Sequence, residues 1–183
     1  NPNWVSVPLV GWQHIEAIQR FADVHLVTHV RNRGDILGRG ISAEHVTFVG
    51  QGAVDRAMHQ AALWIEGKGA MGGATQTAFQ LPLYYRFEHT AWRMLHERIA
   101  RKEFDLVHRV TPVSPVMPSL FAARLHRLGV PFVVGPINGG VPWPKELASV
   151  RRREGEWISY LRDVKSWLPH YRATRKHASA IIL

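Results

Sequence analysis

Apolar residues recur along this chain in two rhythms. Short runs that are apolar almost throughout alternate with longer stretches in which apolar residues return every three or four positions. The short runs are VHLVTHV (24–30), HVTFVG (45–50), FDLVHRV (104–110), PFVVG (131–135) and the closing SAIIL (179–183). Each is short and rich in β-branched or aromatic residues, which predicts strands. The second rhythm predicts helices. Trp12 to Phe21 carries Ile15, Ile18 and Phe21 at helical spacing. Leu83 to Lys102 is the longest such pattern, with Trp92, Leu95 and Ile99 on one face. Ser119 to Leu128 is followed by Gly129, placed as a C-terminal cap glycine. Glu154 to Leu168 and Tyr171 to His177 are separated by Pro169.

Near-continuous apolar strands alternating with helices predict an α/β fold: a mostly parallel sheet with helices on both faces. Such sheets hold ligands at the carboxyl ends of their strands. The residues just after each strand are therefore the ones to search for chemistry.

Composition narrows the classes. At 183 residues the chain suits one domain with a sizeable core. It has no cysteine, which excludes a disulfide scaffold and thiolate metal sites and fits a reducing compartment. Its 23 Lys and Arg against 14 Asp and Glu give a net charge of +9, which favours anionic partners. The densest basic run is Arg151-Arg152-Arg153, where a solvated helix face is expected. No apolar stretch approaches the roughly 20 residues of a membrane span, and no signal peptide is visible. The chain opens in what reads as a loop, NPNWVSVPLVGW, and closes on an apolar run that should be a buried strand. Both ends read as cut within a larger protein.

Gly67, Gly69 and Gly72 match the dinucleotide fingerprint G-x-G-x-x-G. That fingerprint works only after a strand and at the opening of a helix. The preceding run ends in Glu66, and Pro82 is expected to stop any helix soon after Gly73. Glu88 lies near the spacing of a ribose-binding acid, but inside a helix pattern. The dinucleotide reading is therefore rejected in favour of a glycine loop before the long helix.

Three other stretches are better placed. In VPLVGWQHI (7–15), Gly11 is expected to open a helix, beside Trp12, where free N–H groups meet a phosphate or sugar hydroxyl; the alternative is a glycine turn against the sheet. In FDLVHRVTPVSP (104–115), His108 ends a strand, followed by Arg109 and Thr111. His108 either serves a substrate as donor or base, or is a satisfied buried histidine; Arg109 either pairs with an anion or is solvated. In VVGPINGGVPWPKEL (133–147), a strand runs into Gly135-Pro136 and then Asn138-Gly139-Gly140, which lets a backbone approach a ligand closely.

Taken in order, the pieces VGW, HLVT with RNR, FDLVHRVTP with Pro118-Ser119, LGVPFVVGPINGG and the late ASAIIL resemble family 4 retaining glycosyltransferases. The resemblance covers most of the chain, and its most specific part is GVPFVVGPINGG downstream of DLVHRVTP. It implies one Rossmann-like half of a GT-B architecture: the N-terminal, acceptor-side domain, without its first strand and the donor-binding domain that follows. It implies a nucleotide-diphospho-sugar as donor, a glycan or lipid-linked acceptor, retention of configuration and no metal cofactor. The implied substrate contacts fall on Gly11, Trp12, Arg109, Thr111, Pro136, Asn138, Gly139 and Gly140, with His108 as the catalytic candidate. Such a half is expected to be inactive alone, in the cytoplasm or peripheral on the cytoplasmic membrane face.

Two departures from the family pattern stand out. Many members carry His where this chain has Val110. Either His108 serves instead, or the sugar contact comes from elsewhere. Glu146 and Glu154 have E-x7-E spacing, but the family's motif belongs to the second domain, so the match is read as coincidence.

Excess positive charge with Trp4, Trp143, Trp157 and Trp167 suits an anionic membrane surface, although core packing is the more ordinary account of the tryptophans. His25 with His29, and His89 with His96, share faces but lack a carboxylate partner, so no metal site is expected. No RNA-binding or zinc-finger signature accompanies the charge, so nucleic acid is not the expected partner. The rival reading is a non-catalytic module on the same fold that recognises an anionic partner, nucleic acid or membrane.

Overall fold

The computed structural model describes residues 7–50, 73–137 and 168–183. The chain is mixed α/β with short parallel sheets. Helix α1 (Val7–Ile18) leads to β1 (Leu26–His29). A 3-10 turn (Val30–Asn32), α2 (Arg33–Gly38) and a second 3-10 turn (Ala43–His45) carry the chain to β2 (Val46–Val49). Then follow α3 (Gly73–Ala100), β3 (Val107–Arg109), α4 (Phe121–Leu128), β4 (Phe132–Val134), α5 (Tyr171–His177) and β5 (Ala180–Ile181). β1 pairs with β2, from Leu26 opposite Val46 to His29 opposite Val49. β3, β4 and β5 form a second sheet in that order, with His108 opposite Val133 and Val134 opposite Ile181. All these pairings are parallel. The arrangement is compatible with a Rossmann-like sheet.

The predicted helix face of the long segment does what its spacing requires. Leu95 and Ile99 are buried together with Ala91, and Trp92 packs against them. They meet Phe121, Ala122 and Leu125 of α4 and Phe132 and Val134 of β4. Val49 of β2 joins the same cluster, so both sheets contribute to one core. Gly129 caps α4 in the left-handed conformation (φ 62°), which glycine adopts without steric cost.

Four expectations need correction. Pro82 does not end the helix around it: α3 runs through it from Gly73. An interior proline forgoes one backbone bond and crowds the preceding turn, costing about 3 kcal/mol, and the docked face of Ala91, Leu95 and Ile99 offsets it. This removes one ground for rejecting the dinucleotide fingerprint; Gly67, Gly69 and Gly72 lie outside the described residues. Helix α1 begins at Val7 rather than Trp12, with Pro8 in its first turn, where its missing N–H costs nothing. Phe21, expected on its buried side, lies beyond the helix and is 80% exposed. The closing apolar run, expected to be buried, forms the edge strand β5, with Ile181 and Leu183 exposed. The predicted helix at Glu154 to Leu168 and the triple arginine also lie outside the described residues, apart from Leu168.

Candidate functional site at the carboxyl ends of β3 and β4

The three stretches singled out in the sequence meet at one sheet end. β3 delivers His108 and Arg109, and the chain then turns through a cis Thr111-Pro112 bond. β4 delivers Val134 and turns through a cis Gly135-Pro136 bond. Gly135 (φ 131°) donates its N–H to the Arg109 carbonyl, 3.0 Å. From the other side α1 brings Gly11 against Thr111 and His14 against His108.

His108 is half-buried. Its Nε2–H donates to the Gly135 carbonyl at 2.7 Å, a group that only accepts, so in the neutral ring Nδ1 carries the lone pair. The ring of His14 stands edge-on at 5.3 Å. Burial holds the His108 imidazole below the usual histidine range; the bond to Gly135 opposes this, and the charge of His14 adds to it. His108 is thus neutral near pH 7, its donor spent and its acceptor nitrogen remaining. Of the roles expected for it, donation to a substrate is closed to Nε2, and proton acceptance at Nδ1 is the chemistry left.

Arg109 is half-buried and makes no ion pair among the described residues. Its Nη1 donates to the carbonyls of Met117 (2.8 Å) and Pro118 (3.3 Å) and lies 3.5 Å from the Tyr84 hydroxyl. Its Nε is buried with no hydrogen-bond partner among the described residues.

Other candidates are placed differently from expectation. Gly11 does not open α1; it lies in the second turn, past the N–H groups a helix leaves free. It is buried by the close approach of the helix to Thr111. Trp12 packs with Ile36 and Val46 in a second apolar cluster, under the Arg39 guanidinium at 4.5 Å. Leu26, Ile41 and Phe48 pack against the same cluster, so Trp12 is a core side chain of the β1–β2 sheet. Thr111 is exposed and Pro136 half-buried at the sheet end. Asn138, Gly139 and Gly140 lie outside the described residues.

Glu88 and Tyr84 are the feature that sequence reasoning missed. Glu88 is 4% exposed. It accepts from the Tyr84 hydroxyl (2.5 Å), the Ser119 hydroxyl (2.5 Å) and the Leu120 N–H (2.8 Å). Burial raises its pKa, partly opposed by those bonds and by Arg109. Burial also pushes the Tyr84 phenol well up. The carboxylate ties α3 to the start of α4 and, through Tyr84, to Arg109. Its oxygens are engaged within the protein, so it is not free for a ribose. The signal was available: Glu88 sits one turn before Trp92 on the stripe of Leu95 and Ile99, where an acid is buried only if it is bonded.

Among the described residues no group of three His, Asp or Glu side chains is arranged to hold a metal ion. His25 instead lies 2.8 Å from the Thr47 hydroxyl, and His29 accepts from the Arg31 N–H. No described helix is long and apolar enough to cross a membrane. No protein-family model matches the chain, and no curated protein and no solved structure is similar to it.

Proposed function

We infer that this chain is the acceptor-side, Rossmann-like domain of a retaining, nucleotide-sugar-dependent glycosyltransferase, one half of a GT-B cleft. The observation that supports this most is the meeting of three separate segments at one sheet end. Gly11 touches Thr111, His14 faces His108, and His108 bonds Gly135. These are the pieces on which the sequence resemblance rests, and parallel sheets take their ligands at that end. In this reading His108 Nδ1 accepts a hydrogen bond from a sugar hydroxyl. The donor phosphates are expected at Asn138-Gly139-Gly140, which follow the turn after β4 in sequence and lie outside the described residues. The donor nucleotide is held mainly by a domain beyond this chain.

The test is sugar transfer by the full-length gene product. Release of UDP or GDP from a panel of nucleotide hexoses is measured, with the anomeric configuration of the product read by NMR. Transfer with retention is expected, reduced by about two orders of magnitude in His108→Ala. Absence of release from every UDP- and GDP-sugar sinks the reading.

A second reading has its own observation. Helices α4 and α5 pack together, joined by stacked rings of His126 and His177 at 4.2 Å. Neither helix carries an acid, and Arg127, Arg172 and Lys176 are exposed. That face suits a module that docks on an anionic polymer or surface. Binding of RNA or anionic vesicles that falls steeply with salt, without transfer, favours this alternative.

A further inference from the structure

The rings of His126 and His177 lie face to face across the α4–α5 contact, with centroids 4.2 Å apart and planes 29° from parallel. Each stands in the last turn of its helix. A helix C-terminus favours a cation, so a first proton on the pair is stabilised there. A second is opposed. Two charged rings at that separation repel, and the groups around them have the same sign. α4 carries Arg124 and Arg127, and α5 carries Arg172, Arg175 and Lys176, with no acid on either helix. α3, packed against α4, brings Lys102, whose Nζ donates to the Leu128 and Gly129 carbonyls. Glu103, beside it in the chain, is bonded to Arg98 and Arg101. β4, which also packs on α4, has no charged residue. Burial holds His177 below the usual histidine range, and the charges of His126 and Lys176 add to this.

The stack sits where the chain leaves α5. Just after His177, the Ala178 N–H donates to the Thr174 carbonyl at 3.0 Å and the Ser179 N–H to the Phe132 carbonyl at 2.7 Å. The Phe132 N–H donates in turn to the Ser179 hydroxyl at 3.2 Å. These bonds carry the chain from α5 to its place beside β4. Tyr171 and Thr174 are buried and fix the earlier part of the helix, so a response is confined to its last turn. We propose that the His126–His177 stack is a pH-sensitive latch: it holds the last turn of α5 on α4 while the pair carries at most one proton, and releases that turn when both rings are charged. Because His177 takes its proton below 6.5 in the folded chain, closure is complete above pH 6.5 and is lost as pH falls through the folded-state value. The latch goes beyond sugar transfer and stands without it.

The experiment follows both rings by NMR titration of the full chain between about pH 5 and about pH 8. The Ser179 amide is followed by hydrogen exchange, as a protection factor corrected for the intrinsic rate. The variants are His126→Gln, His177→Gln and the two together. Replacing either ring is expected to move the midpoint of the other upward, since one positive neighbour is removed. In the wild type, Ser179 protection is expected to fall by about fivefold more across this range than in the double variant, the factor that a like-charge pair at this separation produces in water. The excess fall is expected to shrink at about 1 M salt, which screens exposed charges. His108, which also loses stability in acid, is present in every variant and cancels in the comparison. Ring midpoints that stay in place when the partner ring is replaced overturn the proposal. So does Ser179 protection that does not fall in the wild type, or that falls as far in the double variant.

Discussion

Gly11 and Thr111 stand so close that a Cβ on the glycine would lie 2.9 Å from the Thr111 Cγ2 methyl. Helix α1 and the turn after β3 are held together at that point by the absence of a side chain. Alanine in mid-helix gains roughly 1 kcal/mol of propensity over glycine, but here it must displace a stiff, β-branched neighbour. Gly11→Ala is therefore expected to destabilise the wild-type fold by about 1 kcal/mol. In a Thr111→Ser background, which removes the methyl, the same change is expected to be neutral or stabilising. Urea denaturation of the four proteins of this cycle measures the coupling. Stabilisation by Gly11→Ala with Thr111 in place would refute the contact.

Gly135 has no room for a side chain at all. Its φ of 131° is a glycine conformation, and a Cβ there would overlap the Ile182 carbonyl and come within 2.8 Å of the Ile182 Cβ. Gly135→Ala is expected to cost about 3 kcal/mol or more, from backbone strain and overpacking together. It is also expected to disturb His108, whose acceptor is the Gly135 carbonyl. A midpoint in urea within experimental error of wild type would contradict both statements.

The buried carboxyl of Glu88 gives the fold a pH dependence of definite sign. Burial raises its folded-state pKa above the unfolded value of about 4.5. The folded state therefore holds that proton more tightly. Its contribution is greatest below pH 4.5 and is lost as pH rises through the folded-state pKa. Glu88→Gln removes this titration. The stability of wild type relative to Glu88→Gln is expected to fall with rising pH above about 4.5, then level off. A relative stability of wild type that stays constant, or rises, across that range would show that Glu88 is not held as described.

His108 works in the opposite direction. Its folded-state pKa lies below the ordinary 6.5, chiefly through burial. The unfolded chain takes up the proton first, so stability is present above pH 6.5 and is lost as pH falls through the folded-state value. NMR titration of the ring is expected to give a midpoint below 6.5. His14→Ala, which removes a nearby positive charge and opens the site to water, is expected to move that midpoint upward. A His108 midpoint at or above 6.5 in the wild type would remove the case for a neutral base at this position.

Much of the local architecture was legible from the chain itself. The bounds of α5 at Tyr171–His177 and the left-handed cap at Gly129 follow from spacing and capping chemistry, which involve only neighbours in sequence. The parallel pairing of β1 with β2 and of β3 with β4 follows in the same way, because apolar runs separated by helical patterns leave little else. The ends of β3 and β4, where the sequence reading placed its candidates, lie side by side because those strands pair in parallel.

What each residue does there was decided by tertiary contacts that no local pattern encodes. Gly11 and Thr111 lie far apart in the chain, and their contact makes Gly11 a packing glycine rather than a helix-opening one. Glu88 became a buried tie because Ser119 and the Leu120 N–H meet it across the core. Pro82 stayed within α3 because the helix beyond it is docked, an energy that local propensity does not contain. Strand and helix type arise from interactions between near neighbours, which a sequence displays. Burial, donor satisfaction and ring protonation depend on which distant groups arrive at the same place, and only the folded chain brings them there.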